Sequence, residues 1–295
     1  MPKKLTLAVA LSLACGTAAA APIGYVLGNN GSTLYAFDVS TPGSVLSAVT
    51  LSGAVSMLDD IDFRPLNGTL YGYDDGTDQF VTIDTTTGVT TLASTPAAFP
   101  TDTRQVGLDF NPTIDRARIV SENEANIVYN PNTGGETLAT SLFYVAGDPN
   151  NGTNPTVSAN AYTNSMLVGT PGSTVQYVFD AALDILATLG NNAGTLSTIG
   201  SLGVDAGQDI GFDILFNGGT GTNTAYGLLT VGGMAGLYTI DLGSGAATLV
   251  GNFDGALGTL NGLAITPVPE PASAALLALG ALGLAGARRR SRTAG

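Results

Sequence analysis

The chain has 295 residues, 44% of them hydrophobic, with 40 glycines, 10 tyrosines and neither histidine nor tryptophan. Ten basic residues stand against 23 acidic ones, a formal charge of −13, and a surface this acidic repels nucleic acid and anionic lipid, which excludes both as partners. The only cysteine is Cys15 and the only lysines are Lys3 and Lys4; beyond them the chain has no Ser-His-Asp or Cys-His nucleophile, no Schiff-base lysine and no imidazole or thiolate metal site.

Residues 1–21 read as a secretory signal peptide. Lys3 and Lys4 form a positive start, Leu5 to Ala14 an apolar stretch, and Ala18-Ala19-Ala20 a small-residue cleavage site. Signal peptidase is the partner this implies. Ser12-Leu13-Ala14 before Cys15 is a poor lipobox, which argues against a lipoprotein.

Residues 22–266 form the body. It carries four arginines (Arg64, Arg104, Arg116, Arg118) against nineteen Asp and three Glu, leaving −18. Such acidity keeps an exported protein soluble and attracts cations.

Within the body one phrase keeps returning. Ile61-Asp62-Phe63-Arg64-Pro65 comes back as Leu108-Asp109-Phe110-Asn111-Pro112 and as Phe212-Asp213-Ile214-Leu215. Weaker copies are Ala159-Asn160-Ala161-Tyr162 and Leu263-Ala264-Ile265-Thr266. Their second residues, 62, 109, 160, 213 and 264, are 47, 51, 53 and 51 positions apart. A repeat near fifty residues that carries several short strands is the mark of a β-propeller.

Each copy is followed by further strand-like runs. After the first come Thr69 to Tyr73, Gln79 to Asp84 and Val89 to Ala93, separated by turns at Asn67-Gly68, Asp74-Asp75-Gly76 and Thr87-Gly88 that accept positive φ. The second gives Ala117 to Ser121 and Asn126 to Tyr129, then a turn at Pro131 to Gly135. The third gives Ser165 to Val168, Val175 to Asp180 and Ile185 to Leu189; the fourth gives Ala225 to Thr230, Gly236 to Asp241 and Ala247 to Val250. At the N-terminal end, Gly24 to Leu27, Thr33 to Val39 and Val45 to Leu51 lack a leading copy, while Leu260 to Thr266 is a copy with no followers. Joining them completes a fifth blade and removes the open edges. The expectation is therefore an all-β fold, a single five-bladed propeller closed by pairing N-terminal strands with the C-terminal strand. Six blades follow if Asn191 to Asp209 hides strands. A sandwich or solenoid fits the composition but leaves the split blade unexplained.

The phrases Gly107-Leu108-Asp109-Phe110-Asn111-Pro112, Asp115-Arg116 and Asn261-Gly262-Leu263-Ala264 resemble an exported bacterial family, domain-of-unknown-function family 4394, over most of residues 25 to 266. The resemblance implies the fold and brings no activity with it.

With its mature toolkit limited to carboxylates, hydroxyls, amides and four arginines, the body offers few candidate sites. Asp62, Asp109 and Asp213 share one position of the repeated strand, beside the smaller Asn160 and Ala264. If that strand is innermost, the three ring the channel and suit Ca²⁺, which prefers oxygen ligands; otherwise no cofactor is expected. The plainer reading is that each caps a turn or accepts nearby backbone amides. Asp59-Asp60-Ile61-Asp62 and Asp74-Asp75-Gly76-Thr77-Asp78 are acidic, but lack the spacing and final glutamate of an EF-hand, and read as solvated turns. Arg104, Arg116 and Arg118 read as partners of fixed carboxylates, with Asp102, Asp109 and Asp115 nearest in sequence. Glu122 and Glu124 are the pair a glycosidase would need. No catalytic residue is assigned.

Residues 267–295 form a tail. Val268-Pro269-Glu270-Pro271 precedes an apolar run, Ala272 to Ala287, and then Arg288-Arg289-Arg290-Ser291-Arg292. The run is a short membrane span, and the arginine cluster orients it with the body on the outer side. This arrangement resembles a PEP-CTERM sorting signal. The resemblance implies Pro269, Glu270 and Pro271 as processing determinants, an exosortase-type membrane enzyme as partner, and a host that makes exopolysaccharide. A plain, uncleaved anchor is the alternative.

Taken together, the sequence points to a non-catalytic, secreted or surface-associated propeller linked to the polysaccharide matrix. A carboxylate-based glycosidase or lyase with Ca²⁺ in the channel, and a structural surface component, are the alternatives.

Overall fold

The computed structural model describes residues 21–93, 106–167 and 169–266. The signal peptide and the sorting tail expected from the sequence lie outside the described residues, as do Asp102 and Arg104. Among the described residues no helix is long and apolar enough to cross a membrane; the apolar run 272–287 is not among them.

The body is built from short strands in chain order: β1 (Ile23–Gly28), β2 (Thr33–Asp38), β3 (Val45–Thr50), β4 (Ser52–Gly53), β5 (Asp60–Arg64), β6 (Thr69–Asp74), β7 (Gln79–Ile83) and β8 (Val89–Leu92). There follow β9 (Val106–Asn111), β10 (Arg116–Ser121), β11 (Asn126–Asn130), β12 (Gly135–Leu138), β13 (Phe143–Tyr144), β14 (Val157–Tyr162), β15 (Gln176–Asp180) and β16 (Ile185–Leu189). The last are β17 (Thr195–Ser201), β18 (Gly211–Asn217), β19 (Thr222–Val231), β20 (Met234–Ile240), β21 (Ala247–Asn252) and β22 (Asn261–Thr266). They form five antiparallel blades, ordered from axis to rim as β5-β6-β7-β8, β9-β10-β11-β12, β14-β15-β16-β17, β18-β19-β20-β21 and β22-β1-β2-β3. The short β4 and β13 add a parallel strand at the rim of the blade that follows them.

The turns explain why the chain reverses where it does. Asp84 and Asp241 open four-residue hairpin loops in which the carboxylate accepts the N–H groups two and three residues on. Gly88 and Gly245 close them at φ of 74° and 83°, each returning its N–H to the opening residue's carbonyl. The fifth blade closes as expected, with Ile23 opposite Thr266 and Tyr25 opposite Ala264. That pairing leaves neither end of the ring with an open edge.

Two details differ from the sequence expectation. Ser165 to Leu167 is not a strand but part of the loop that links β14 to β15, and the third repeat draws its outer strand from Thr195–Ser201 instead. The region 191–209 thus completes an existing blade, and the count stays at five. The second repeat also carries a fourth strand, β12, beyond its turn.

The core is divided into five apolar layers, one between each pair of neighbouring blades. One layer holds Phe80 stacked on Tyr129, ring centroids 3.7 Å apart and nearly parallel at 5°; another holds Phe179 against Phe212 at 4.1 Å. Innermost strands β9 and β14 are buried along their whole length, whereas rim strands β3, β12 and β21 face solvent. Packing on both faces is why the inner strands are largely apolar, with the repeated polar position and a few further polar residues such as Asp60, Asn111 and Ser158.

Candidate functional site

The five innermost strands, β5, β9, β14, β18 and β22, stand around the axis and share one register. Asp62 lies opposite Tyr71, Asp109 opposite Arg118, Asn160 opposite Val178, Asp213 opposite Tyr226 and Ala264 opposite Tyr25, always across from the second strand of the blade. Asp62, Asp109, Asp213 and Ala264 thus turn toward the following blade, whereas Asn160 shares the face of Val178, which packs toward the preceding one, and Ala159 and Ala161 take the forward face of β14. Asp62, Asp109 and Asp213 are buried, and each offers a carboxylate oxygen within 4.8 Å of the others.

The same aspartates tie the blades together. Asp62 accepts the N–H of Phe110 at 2.9 Å, Asp109 that of Tyr162 at 3.0 Å, and Asp213 that of Ile265. In each case the donor is on the innermost strand of the next blade, and the acceptor is Oδ2. Asp60, one side-chain step along β5, does the same with Leu108 at 2.6 Å and also accepts from Ile61. Asp59 to Asp62 is thus no solvated turn. Two of its carboxylates are buried at the axis, where each satisfies a backbone donor that the curved ring leaves without a ladder partner. Asp74 to Asp78 does form the β6–β7 turn, with Asp74 accepting from Gly76 and Thr77 and Asp75 donating its N–H to Asp59.

Close approach of the inner strands fixes what fits beside this ring. A Cβ on Gly107 would stand 2.5 Å from the Ala159 Cα, and one on Gly211 2.7 Å from the Gly262 carbonyl carbon. Glycine is required there because no side chain can enter.

Burial governs the electrostatics. It holds the carboxyls of Asp62 and Asp109 well above their ordinary range, Asp62 further raised by the charge of Asp213 and Asp109 by that of Asp62. Burial likewise lifts Asp213 to about 7, against the pull of its backbone donors Ile265 and Ile214, and raises Asp60. Three carboxylates at such separations either keep protons or share a cation.

The arginines are placed differently from the expectation. Arg118 faces Asp109 across the ladder, but its guanidinium donates to Asn126 Oδ1 at 2.6 Å and Asn192 Oδ1 at 2.7 Å, with the Tyr162 hydroxyl at 3.4 Å. Arg116 donates to the carbonyls of Ile114 and Asp115. The Asp115 carboxylate is taken by Arg64, the ion pair present among the described residues, which the sequence did not single out. Amide cradles and a partner 51 residues away leave no local sequence signal. Glu122 and Glu124 sit in the β10–β11 turn, where Glu124 has φ 63° and accepts from Asn154. They are not part of the axial ring.

The β14 position that the sequence set beside the aspartates is polar but uncharged, and lies on the opposite face of its strand. Asn160 is 1% exposed, and neither its amide nitrogen nor its amide oxygen has a hydrogen-bond partner; Ser158 Oγ, one step along the strand, has none either. Next to the ring, a cavity of about 20 Å³ has Asp62 and Asp213 in its wall, with Phe63, Ser165, Leu167 and Ile265. This is room for one water molecule or one small ion.

No curated protein matches the chain. Among solved structures, one titled "Crystal structure of Nidogen/Laminin Complex" aligns over 83% of this chain and 84% of its own, with a TM-score of 0.46 and 12% identity. A likeness at that level carries no functional inference. The PEP-CTERM protein-sorting motif matches residues 267–290, which marks the chain for export and sorting to the cell surface and implies processing by exosortase, a membrane enzyme. The Domain of unknown function (DUF4394) matches residues 33–264, from the start of β2 into β22, and the chain belongs to that family.

Proposed function

We propose that the chain works as a non-catalytic, exported β-propeller held at or released from the outer surface, where its turn loops bind polysaccharide of the extracellular matrix. The observation that carries this reading is the size of the axial cavity. At about 20 Å³ the cavity beside Asp62 and Asp213 admits a water or an ion but no sugar ring, which leaves these buried carboxylates poorly placed to act on a glycan. A larger hollow lies among turns instead. It measures about 400 Å³ between the Ala54–Met57 segment, Asp59 and the Asp74–Thr77 turn. Hydroxyls, carboxylates and peptide groups there suit the hydroxyls of a neutral glycan, and the negative charge disfavours uronate-rich ones. The N-terminal segment 1–21 acts as signal peptide, and Pro269, Glu270 and Pro271 as processing determinants.

The test is retention of the purified full-length chain on neutral and on acidic bacterial exopolysaccharide. Binding to the neutral polymer without release of reducing sugar is the expected result. Turnover of any glycan at enzyme-like rates, lost in Glu122→Gln or Glu124→Gln, would establish the glycosidase reading instead. A structural surface role is favoured by Leu46, Leu138 and Leu249, exposed on the rim strands β3, β12 and β21. Self-association in sedimentation velocity at low micromolar concentration would support it.

A further inference from the structure

We propose that the hollow between the β19–β20 hairpin and the loop leading into β22 binds an amino sugar through its free ammonium group, with Asp209 as the carboxylate that receives it. The site is separate from the hollow beside Asp59 and does not depend on what that one binds.

Three backbone segments enclose about 320 Å³, within the range of roughly 300–1,000 Å³ that holds small molecules. One is the end of β19 and the start of β20, joined through Gly232 and Gly233 at φ of 59° and 81°. Another is the approach to β18. There Ala206 bridges Val231 and Gly207 donates its N–H to the Thr230 carbonyl at 2.7 Å, which sets Asp209 in the wall. The third is residues 253–260, where Phe253 donates its N–H to the Ala235 carbonyl at 2.9 Å and the Leu257 carbonyl accepts from Asn29 at 3.2 Å. Main-chain hydrogen bonds hold every wall, so the hollow exists before a ligand arrives and binding has little to order.

Asp209 is the group in this hollow that calls for a partner. It is half-buried, burial raises its carboxyl, and among the described residues no hydrogen bond or ion pair reaches it. The body has no lysine, and its three described arginines are committed elsewhere. Arg64 pairs with Asp115, Arg116 donates to carbonyls, and Arg118 lies among amides. A matching positive charge therefore comes from outside the chain. Asp254 commits Oδ1 to the Ala256 N–H at 3.0 Å and keeps Oδ2 for a second contact. Phe253 and Leu260 are buried in the wall and Met234 is 55% exposed, which gives the C–H face of a sugar ring an apolar surface. The hydroxyls of Thr230 and Thr259 suit those of the sugar. A lysine side chain would answer Asp209 but not the threonines, and a neutral sugar the threonines but not Asp209. An amino sugar answers both.

The experiment titrates the full-length chain, purified in mild detergent, with glucosamine disaccharide, its N-acetylated counterpart and a blocked lysine. Calorimetry is run at about pH 6.5, where amines keep their proton. The amino disaccharide is expected to fill one site per chain, with an affinity about tenfold or more above that of the N-acetylated form. Asp209→Asn is expected to weaken it about tenfold or more without lowering the thermal midpoint, because the change removes an unpaired, half-buried charge. Asp241→Asn, which alters net charge equally at the far end of β20, is expected to leave affinity unchanged. Absence of binding overturns the proposal. So does an equal loss in the two variants, which would make the attraction a diffuse effect of the acidic surface. Tighter binding of the blocked lysine also overturns it and points to a basic protein partner. Retention on neutral polymer reports on the hollow beside Asp59, so either site can fail without the other.

Discussion

Arg64 and Asp115 form a two-point ion pair across a blade boundary. The guanidinium Nε donates to Asp115 Oδ1 at 2.7 Å and Nη2 to Oδ2, while the same Nη2 reaches Asn132 Oδ1 at 2.6 Å. One side chain at the end of β5 thus grips both the β9–β10 and the β11–β12 turns of the next blade. With Arg64 only 7% exposed, its loss is felt: Arg64→Met is expected to destabilise by about 2–3 kcal/mol, read from the urea midpoint. Arg64→Lys should recover less than half, because an ammonium cannot make the planar two-point contact.

The same pair sets part of the acid limb of stability. Hydrogen bonding from Arg64 holds the Asp115 carboxyl below its ordinary 3.8. A depressed acid stabilises the fold above its ordinary value and loses that contribution as pH falls through the folded value. The thermal midpoint should therefore drop as pH falls below about 4, less steeply in Asp115→Asn than in the parent chain. Equal slopes in the two proteins would show that other carboxylates dominate acid unfolding.

Gly107 presses against the β14 backbone so closely that even a methyl group collides with the Ala159 Cα. Backbone cannot step aside as a side chain can, so Gly107→Ala is expected to cost about 3 kcal/mol, and Gly107→Val to prevent folding. Circular dichroism and a denaturant melt would show it. A mild effect for Gly107→Val would mean that the ring opens at this seam.

Phe80 is fully buried and stacked flat on Tyr129 between two blades. Phe80→Ala should cost about 3–5 kcal/mol, and Phe80→Leu about half of that, by the usual large-to-small penalty. Chemical denaturation checks both.

Replacing Pro269, Glu270 and Pro271 by alanine is expected to leave the ring's stability unchanged and to trap an unprocessed form in the inner-membrane fraction. Neutralising Arg288, Arg289, Arg290 and Arg292 should disturb membrane orientation instead. Fractionation and immunoblotting separate the two outcomes. Normal release of the alanine variant would refute the processing role of the three residues.

Much of the ring was legible because duplication wrote it into the chain. The residues at 62, 109, 213 and 264 each mark an innermost strand, and the unmatched strands at the two ends announced the closure. What escaped has physical reasons. Rim strands Gly135–Leu138 and Thr195–Ser201 are half-solvated and rich in glycine and hydroxyls, so they lack the apolar alternation that reveals a strand. Met166 and Leu167 looked strand-like yet lie in a loop, where Leu167 lines the small cavity beside Asp62 and Asp213. The aspartates could be seen to be equivalent, but not that their carboxylates cross to the next blade. That requires knowing how the strands curve around the axis. Asn160 reads as a decayed copy of an aspartate, yet an irregularity between Val157 and Ala159 turns it to the opposite face, toward the preceding blade.

The closing strand is the last part of the body to be synthesised, and the sorting motif starts at residue 267, directly after Thr266. During secretion the ring must wait, four blades assembled and the fifth lacking its innermost strand, until residues 261–266 have cleared the translocation pore. The joint that completes the molecule is therefore made between its two most distant strands, and it is the last to form.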